Sequence, residues 1–192
     1  LGADRSADVT ERLNLKGRVV WPGLTDSHIH LASYGFNLAT VDCETNSLQE
    51  CLQRVEAIAA RAPKDAWIRG HGWNQNNWPE GYGTAVQLDS VCHGHPVFLT
   101  AKSLHSAWVN TRAMQLAGIS AATPDPEGGC IVRDASGNPT GVFLEKAESL
   151  FSSIIPKESA QEVTRAIIKG MESLSKMGIT GVHDFDALER LE

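Results

Sequence analysis

The chain has 192 residues, 42% hydrophobic and 21% charged, with a formal net charge of -6. A chain this long can bury roughly 70% of its unfolded surface, so size alone suffices for a stable core. The acidic balance, without a Lys/Arg cluster, excludes sequence-independent nucleic-acid binding, and no apolar run approaches the ~20 residues of a membrane span.

The four cysteines, Cys43, Cys51, Cys92 and Cys130, form no Cys-x-x-Cys pair. They read as reduced, semi-buried thiols, which makes the cytoplasm the expected compartment. The opening Leu1-Gly2-Ala3-Asp4 lacks signal-peptide form.

In chain order, Arg18-Val19-Val20-Trp21 is predicted to start an extended element that breaks at Pro22-Gly23 and continues through Leu24 to Leu31. A helix is predicted from Ser47 to about Arg61, with Ser47 and Glu50 as a capping box and Leu48, Cys51, Leu52, Val55, Ile58 and Ala59 as its apolar stripe. Trp67-Ile68-Arg69-Gly70 reads as a short strand leading into a polar-aromatic loop, His71 to Trp78. Pro96 to Thr100 is the next strand, followed by a short helix from Asn110 to Ala117 that Gly118 ends. Ile131-Val132-Arg133 and Thr140 to Leu144 flank a turn-rich stretch and predict a hairpin. The last helix begins near Ser159 with a second capping box at Glu162, buries Val163, Ile167, Gly170, Met171 and Leu174, and stops at Gly178. Ile179 to Asp184 is the final strand.

Strands alternating with amphipathic helices predict an α/β fold with parallel strands. About four strands are expected in one parallel sheet, half the eight of a closed β/α barrel, which takes ~250 residues. The chain also finishes with its last strand, and Leu191-Glu192 reads as a junction, so the polypeptide is expected to be a fragment.

Asp26, His28 and His30 are two apart in a strand, so their side chains share one face. At the C-terminal end of a barrel strand that face opens on the catalytic mouth, where two imidazoles can hold a divalent metal. Asp26, one step deeper, suits support of the ligands or barrel packing. Cys92-His93-Gly94-His95 is a second His-x-His, but it stands in a Gly-containing turn before a strand and reads as a solvated turn.

Val20-Trp21-Pro22-Gly23-Leu24-Thr25-Asp26-Ser27-His28-Ile29-His30-Leu31 resembles the first barrel strand of the amidohydrolase superfamily. Trp67 to Trp73, His105 to Met114 and Gly141 to Ala147 narrow the resemblance to its amidohydrolase-3 branch, which includes N-substituted formamide deformylases. The resemblance implies a β/α (TIM-type) barrel of the metal-dependent hydrolase kind, roughly its first half present over 21–192, with a hairpin insertion near 128–144. It makes 1–20 a remnant of the junction with a β-sandwich. It implies one or two divalent ions, usually zinc, and hydrolysis of a C–N bond of a small-molecule substrate by metal-activated water.

By the same resemblance His28 and His30 are metal ligands, and Glu145 bridges two metals, with a carboxylated Lys146 as the alternative. His71, Trp73, His105 and His183 are its substrate-binding candidates, while Trp78 reads as loop packing. Two further histidines and a general-base aspartate are expected on later strands, so hydrolysis by these residues alone is expected to be negligible. A non-catalytic module on this fold, or an ester or lactone hydrolase, stands as the alternative. Exposed strand edges predict self-association.

Overall fold

The computed structural model describes residues 13–186, and the expectations for 1–12 and for Leu191-Glu192 lie outside the described residues. The elements are β1 (Leu24–Ile29), α1 (Leu31–Asn37), β2 (Val41–Asp42), α2 (Leu48–Ala59), β3 (Ile68–Trp73), α3 (Ala85–Asp89), β4 (Val97–Ala101), β5 (Ser106–Val109), α4 (Thr111–Leu116), β6 (Gly129–Arg133), β7 (Pro139–Glu145), α5 (Ala160–Lys176) and β8 (Ile179–Asp184). Short 3-10 turns occupy Gln75–Asn77 and Lys146–Phe151.

The strands fall into two sheets. β1 and β8 form a parallel pair, while β2-β3-β4-β5-β7-β6 form a six-stranded sheet in that order. Within it β2, β3 and β4 run parallel, and β5, β7 and β6 are added antiparallel. The α/β class holds, but the four expected strands do not share one sheet. Apolar runs predict strands without revealing which of them pair, and here the first strand finds the last.

Local chemistry sets the helix starts. Ser47 Oγ accepts from Glu50 N at 3.2 Å, and Leu48, Cys51, Leu52, Val55 and Ala59 are buried at helical spacing. Glu50 itself turns to Arg54, at 2.7 Å, rather than closing a capping box. Ser159 and Glu162 do close one, and those hydrogen bonds hold the Glu162 carboxyl below the usual carboxylate range. Gly178, at φ +83°, ends α5 in the left-handed conformation that glycine adopts without strain.

The six-stranded sheet carries apolar layers on both faces, as period-2 alternation requires. Val97, Leu99 and Trp108 pack with α2, β2 and β3, whereas Val109, Phe143 and Phe151 pack on the other side with α4. Each wholly buried aliphatic side chain of this kind contributes roughly 1.5–3 kcal/mol. Trp73, Trp78 and Trp108 meet at ring separations of 5.8–6.5 Å, and Trp108 Nε1 is buried with no hydrogen-bond partner.

Beside this sheet, α1 and α5 cross closely. A Cβ on Gly35 would lie 1.9 Å from the Ala166 carbonyl oxygen, so only glycine permits the approach. Tyr34 Oη and Ser173 Oγ share a hydrogen bond of 2.8 Å across the same contact.

Three further sequence expectations are corrected. Val19, Val20 and Trp21 are exposed and outside any strand, because pairing begins only at Leu24 opposite Ile179. β3 runs on to Trp73, so His71 to Trp73 is strand rather than loop. Met171 is 56% exposed, because it stands with Leu174, Ile179 and Val182 in a groove on the α5/β8 face. The predicted hairpin forms as β6 and β7, at the edge of the six-stranded sheet.

Candidate functional site

β1 carries His28, and His30 follows its last residue, so the two rings lie together at the end of the strand. Their ring centroids are 5.6 Å apart at an interplanar angle of 74°. Both line a cavity of ≈ 690 Å³ between β1/α1 and the exposed face of β3 and β4, which adds Arg69, His71 and Thr100. His28 stacks on Phe185, centroid to centroid 4.1 Å. Asp26 stays local, its Oδ1 accepting from His28 N at 3.0 Å.

His30 is the residue that precedes α1, and its own side chain does not cap the helix. The orphan N–H groups of α1 are met from β8 and the residues just beyond it. Asp184 Oδ1 accepts from Leu31 N at 3.0 Å, and Asp186 Oδ2 from Ala32 N at 2.6 Å. Two carboxylates at a helix N-terminus also answer the helix dipole. Asp186, with its side chain 3% exposed, brings Oδ1 to 3.6 Å from His30 Nδ1.

A second cavity of ≈ 630 Å³ opens on the far side of Arg69, Phe98, Leu104 and Glu158, residues that line both spaces. Arg69 and Glu158 are joined by an ion pair. Here His105 Nδ1 meets Glu145 Oε2 at 3.0 Å. Glu145 has φ +51° and ψ -131°, a sparsely populated conformation for a residue with a side chain. That breaks the strand alternation, and Glu145 and Lys146 both line this cavity although adjacent residues in a regular strand point apart. Burial and the nearby Glu145 carboxylate raise the Glu148 carboxyl above its usual range, with His105 opposing.

The structure therefore brings His28, His30 and His71 together but sets Glu145, Lys146 and His105 in the neighbouring cavity. Trp73, expected in the pocket, is 1% exposed and donates from Nε1 to Leu99 O at 2.8 Å; its ring fills the core. His183 is exposed near the end of β8 and outside both cavity linings. The second His-x-His is a turn, as its sequence suggests, with His93 and Gly94 at φ of +52° and +84°, but it is solvated only in part: His93 is exposed, whereas His95 is buried and its Nδ1 bonds Ala66 O at 2.9 Å. Asp186 and Phe185 are site residues that sequence reasoning missed. The signal for them was the polar-apolar-polar run Asp184-Phe185-Asp186 directly after His183.

Two imidazoles on one face, one backed by a carboxylate, are the nitrogen donors that a zinc-type ion takes. Among the described residues no group of three or more His, Cys, Asp and Glu side chains could hold a metal, whereas a tetrahedral ion takes four donors. The thiols stand apart: Cys43, Cys51 and Cys92 are free and buried and Cys130 is free and exposed. Cys51 and burial push the Cys43 thiol well up, which keeps it protonated and unreactive.

Residues 11–192 match the amidohydrolase family. The chain belongs to that family. It is 37% identical over 179 residues to YtcJ of Bacillus subtilis, covering 92% of this chain and 34% of that protein. It is 35% identical to the N-substituted formamide deformylase of Arthrobacter pascens, over 93% of this chain and 34% of the relative. Among solved structures, an uncharacterized metal-dependent hydrolase from Pyrococcus horikoshii OT3 superposes with a TM-score of 0.60 at 26% identity, over 88% of this chain and 33% of that one. The chain thus spans about a third of the length of these relatives.

Proposed function

We propose that the whole protein is a metal-dependent hydrolase of small-molecule C–N bonds, of the amide or formamide type, and that His28 and His30 are two of its metal ligands. The observation that carries this reading is the pair of imidazoles at the end of β1, opening on the ≈ 690 Å³ cavity. Zinc, one or two ions, suits imidazole donors. When bound, such a metal ionises water near neutral pH and polarises the carbonyl under attack.

The chain's own residues place the substrate. His71 reaches the cavity from β3, its Nε2 3.2 Å from Asn37 O, and Arg69 and Thr100 beside it offer polar contacts to an amide. His105 and Glu145 extend the polar lining into the second cavity, where Glu145 or Lys146 would serve a second ion only after moving toward the histidines. We assign β1 and β8 as neighbouring strands of a β/α barrel, with the six-stranded sheet inserted between them. In this scheme 1–20 is the junction with a further domain. With His28 and His30 as the ligands assigned among the described residues, hydrolysis by these residues alone is expected to be negligible. The cytoplasm suits the free cysteines, and among the described residues no helix is long and apolar enough to cross a membrane.

Exhaustive dialysis of the full-length protein against a chelator is expected to abolish turnover of N-substituted formamides, and added zinc to restore it. Full activity in metal-free protein would overturn the reading. The isolated chain is a different matter. Exposed Trp21, Leu24 and Phe185 flank the β1/β8 pair, so this chain is expected to self-associate at high concentration. Light scattering checks this; a monomeric mass at every concentration would count against it.

A further inference from the structure

The contact between His30 and Asp186 carries more than helix capping, and its interpretation rests on the assignment of His30 as a metal ligand. Asp186 is almost wholly buried, its Oδ2 is committed to Ala32 N, and its Oδ1 accepts from Ser33 Oγ at 3.1 Å while lying 3.6 Å from His30 Nδ1. That last separation is longer than a hydrogen bond, yet short enough for charge to act across it. Nδ1 is the ring nitrogen that faces this buried carboxylate.

We infer that Asp186 is a positioning residue for His30: it holds the neutral ring in the tautomer with the proton on Nδ1, leaving the Nε2 lone pair free for a cation. An imidazole can ligate through Nε2 only when that nitrogen carries no proton, and the partner of the other nitrogen decides this. Solvated neutral histidine favours the proton on Nε2, so the opposite tautomer needs a carboxylate facing Nδ1, and Asp186 Oδ1 faces it at 3.6 Å. The 2.6 Å bond from Ala32 N holds the carboxylate in place, and the carboxylate faces the ring. The contact thus ties His30, at the end of β1, to Asp186, just beyond β8 and more than 150 residues later in the chain.

Asp186→Asn separates this role from simple capping. Its carbonyl oxygen can still accept from Ala32 N, which directs the amide NH2 toward His30 Nδ1 and calls for a lone pair there. Nitrogen-15 spectra of the metal-free 192-residue chain at about pH 8.5, roughly two units above the ordinary imidazole value, read the tautomer directly, with His30→Gln assigning the signals. Wild-type chain is expected to show Nδ1–H, Asp186→Asn to show Nε2–H, and Ser33→Ala to keep the wild-type pattern. Titration with Zn²⁺ alone, followed on the same signals, is expected to show at least a ~10-fold weaker response in Asp186→Asn.

An Nε2–H ring in wild-type chain, or an unchanged tautomer in folded Asp186→Asn, overturns the inference. The wild-type tautomer decides it even if the variant fails to fold. A wild-type chain that carries Nδ1–H but never responds to zinc leaves Asp186 in its positioning role and counts instead against His30 as a ligand.

Discussion

His28→Ala and His30→Ala, each alone in the full-length protein, are expected to lower kcat/KM by at least about 10³-fold, more than the ~10–100-fold that losing an orienting partner costs. That is about 4 kcal/mol of transition-state stabilisation. The two rings stand 5.6 Å apart and line one cavity, so the double variant is expected to be little worse than either single one. Groups that act as a unit are strongly non-additive. Metal content, measured on the purified variants, is expected to fall in parallel. The molecule supplies its own control in His93→Ala, which removes a turn histidine of the other His-x-His and is expected to leave activity and metal unchanged. Full metal and activity in His28→Ala and His30→Ala would end the amidohydrolase mechanism for this chain.

Asn110→Ala is expected to cost about 3–5 kcal/mol of stability, the largest effect of any single polar side chain here. Asn110 is 1% exposed and uses both ends of its amide. Oδ1 accepts from Val97 N at 2.9 Å and from Ala113 N at 3.1 Å, while Nδ2 donates to His95 O at 3.0 Å and to Cys92 Sγ at 3.2 Å. One side chain therefore caps α4, satisfies the first residue of β4 and pins the turn before it. Alanine leaves two amides and a carbonyl buried without partners, each worth about 1–3 kcal/mol, and these losses overlap rather than add. For a chain of this size the midpoint should fall by about 6–20 °C in thermal denaturation. Asn110→Asp tests the mechanism, because it keeps Oδ1 but aims an anionic oxygen at a carbonyl and a sulfur. It is expected to be as damaging at pH 7 and milder once acid protonates it. A loss below about 1 kcal/mol in Asn110→Ala would show that the turn reorganises.

Site and framework draw on the same stretches of sequence. The motif around His105, Trp108 and Asn110 carries part of the family resemblance, yet its residues do different work. Trp108 and Asn110 are buried framework, and His105 alone reaches a cavity. Trp73 is the same case: an aromatic beside a histidine reads as pocket lining, and the strand alternation that exposes His71 is hidden when β3 is taken to end at Gly70. α3 is absent from the sequence-based expectations although Thr84-Ala85-Val86-Gln87 spells a capping box, which the structure closes. β5, wholly buried, lacks the polar alternation that announces a strand.

Sequence by itself determined what depends on near neighbours: the capped starts of α2, α4 and α5, the Gly118 and Gly178 ends, the β6/β7 hairpin, and the shared face of His28 and His30. Only tertiary structure decided which strands pair, that α1 exists, and what stands behind His30. α1 has seven residues and no cap of its own, so its N–H groups are met by Asp184 and Asp186 from more than 150 residues away. Helix caps and strand periods are short-range and leave a local signature. Sheet pairing and the approach of a carboxylate to a ring are long-range, and they are settled only when burial of apolar faces brings distant segments together.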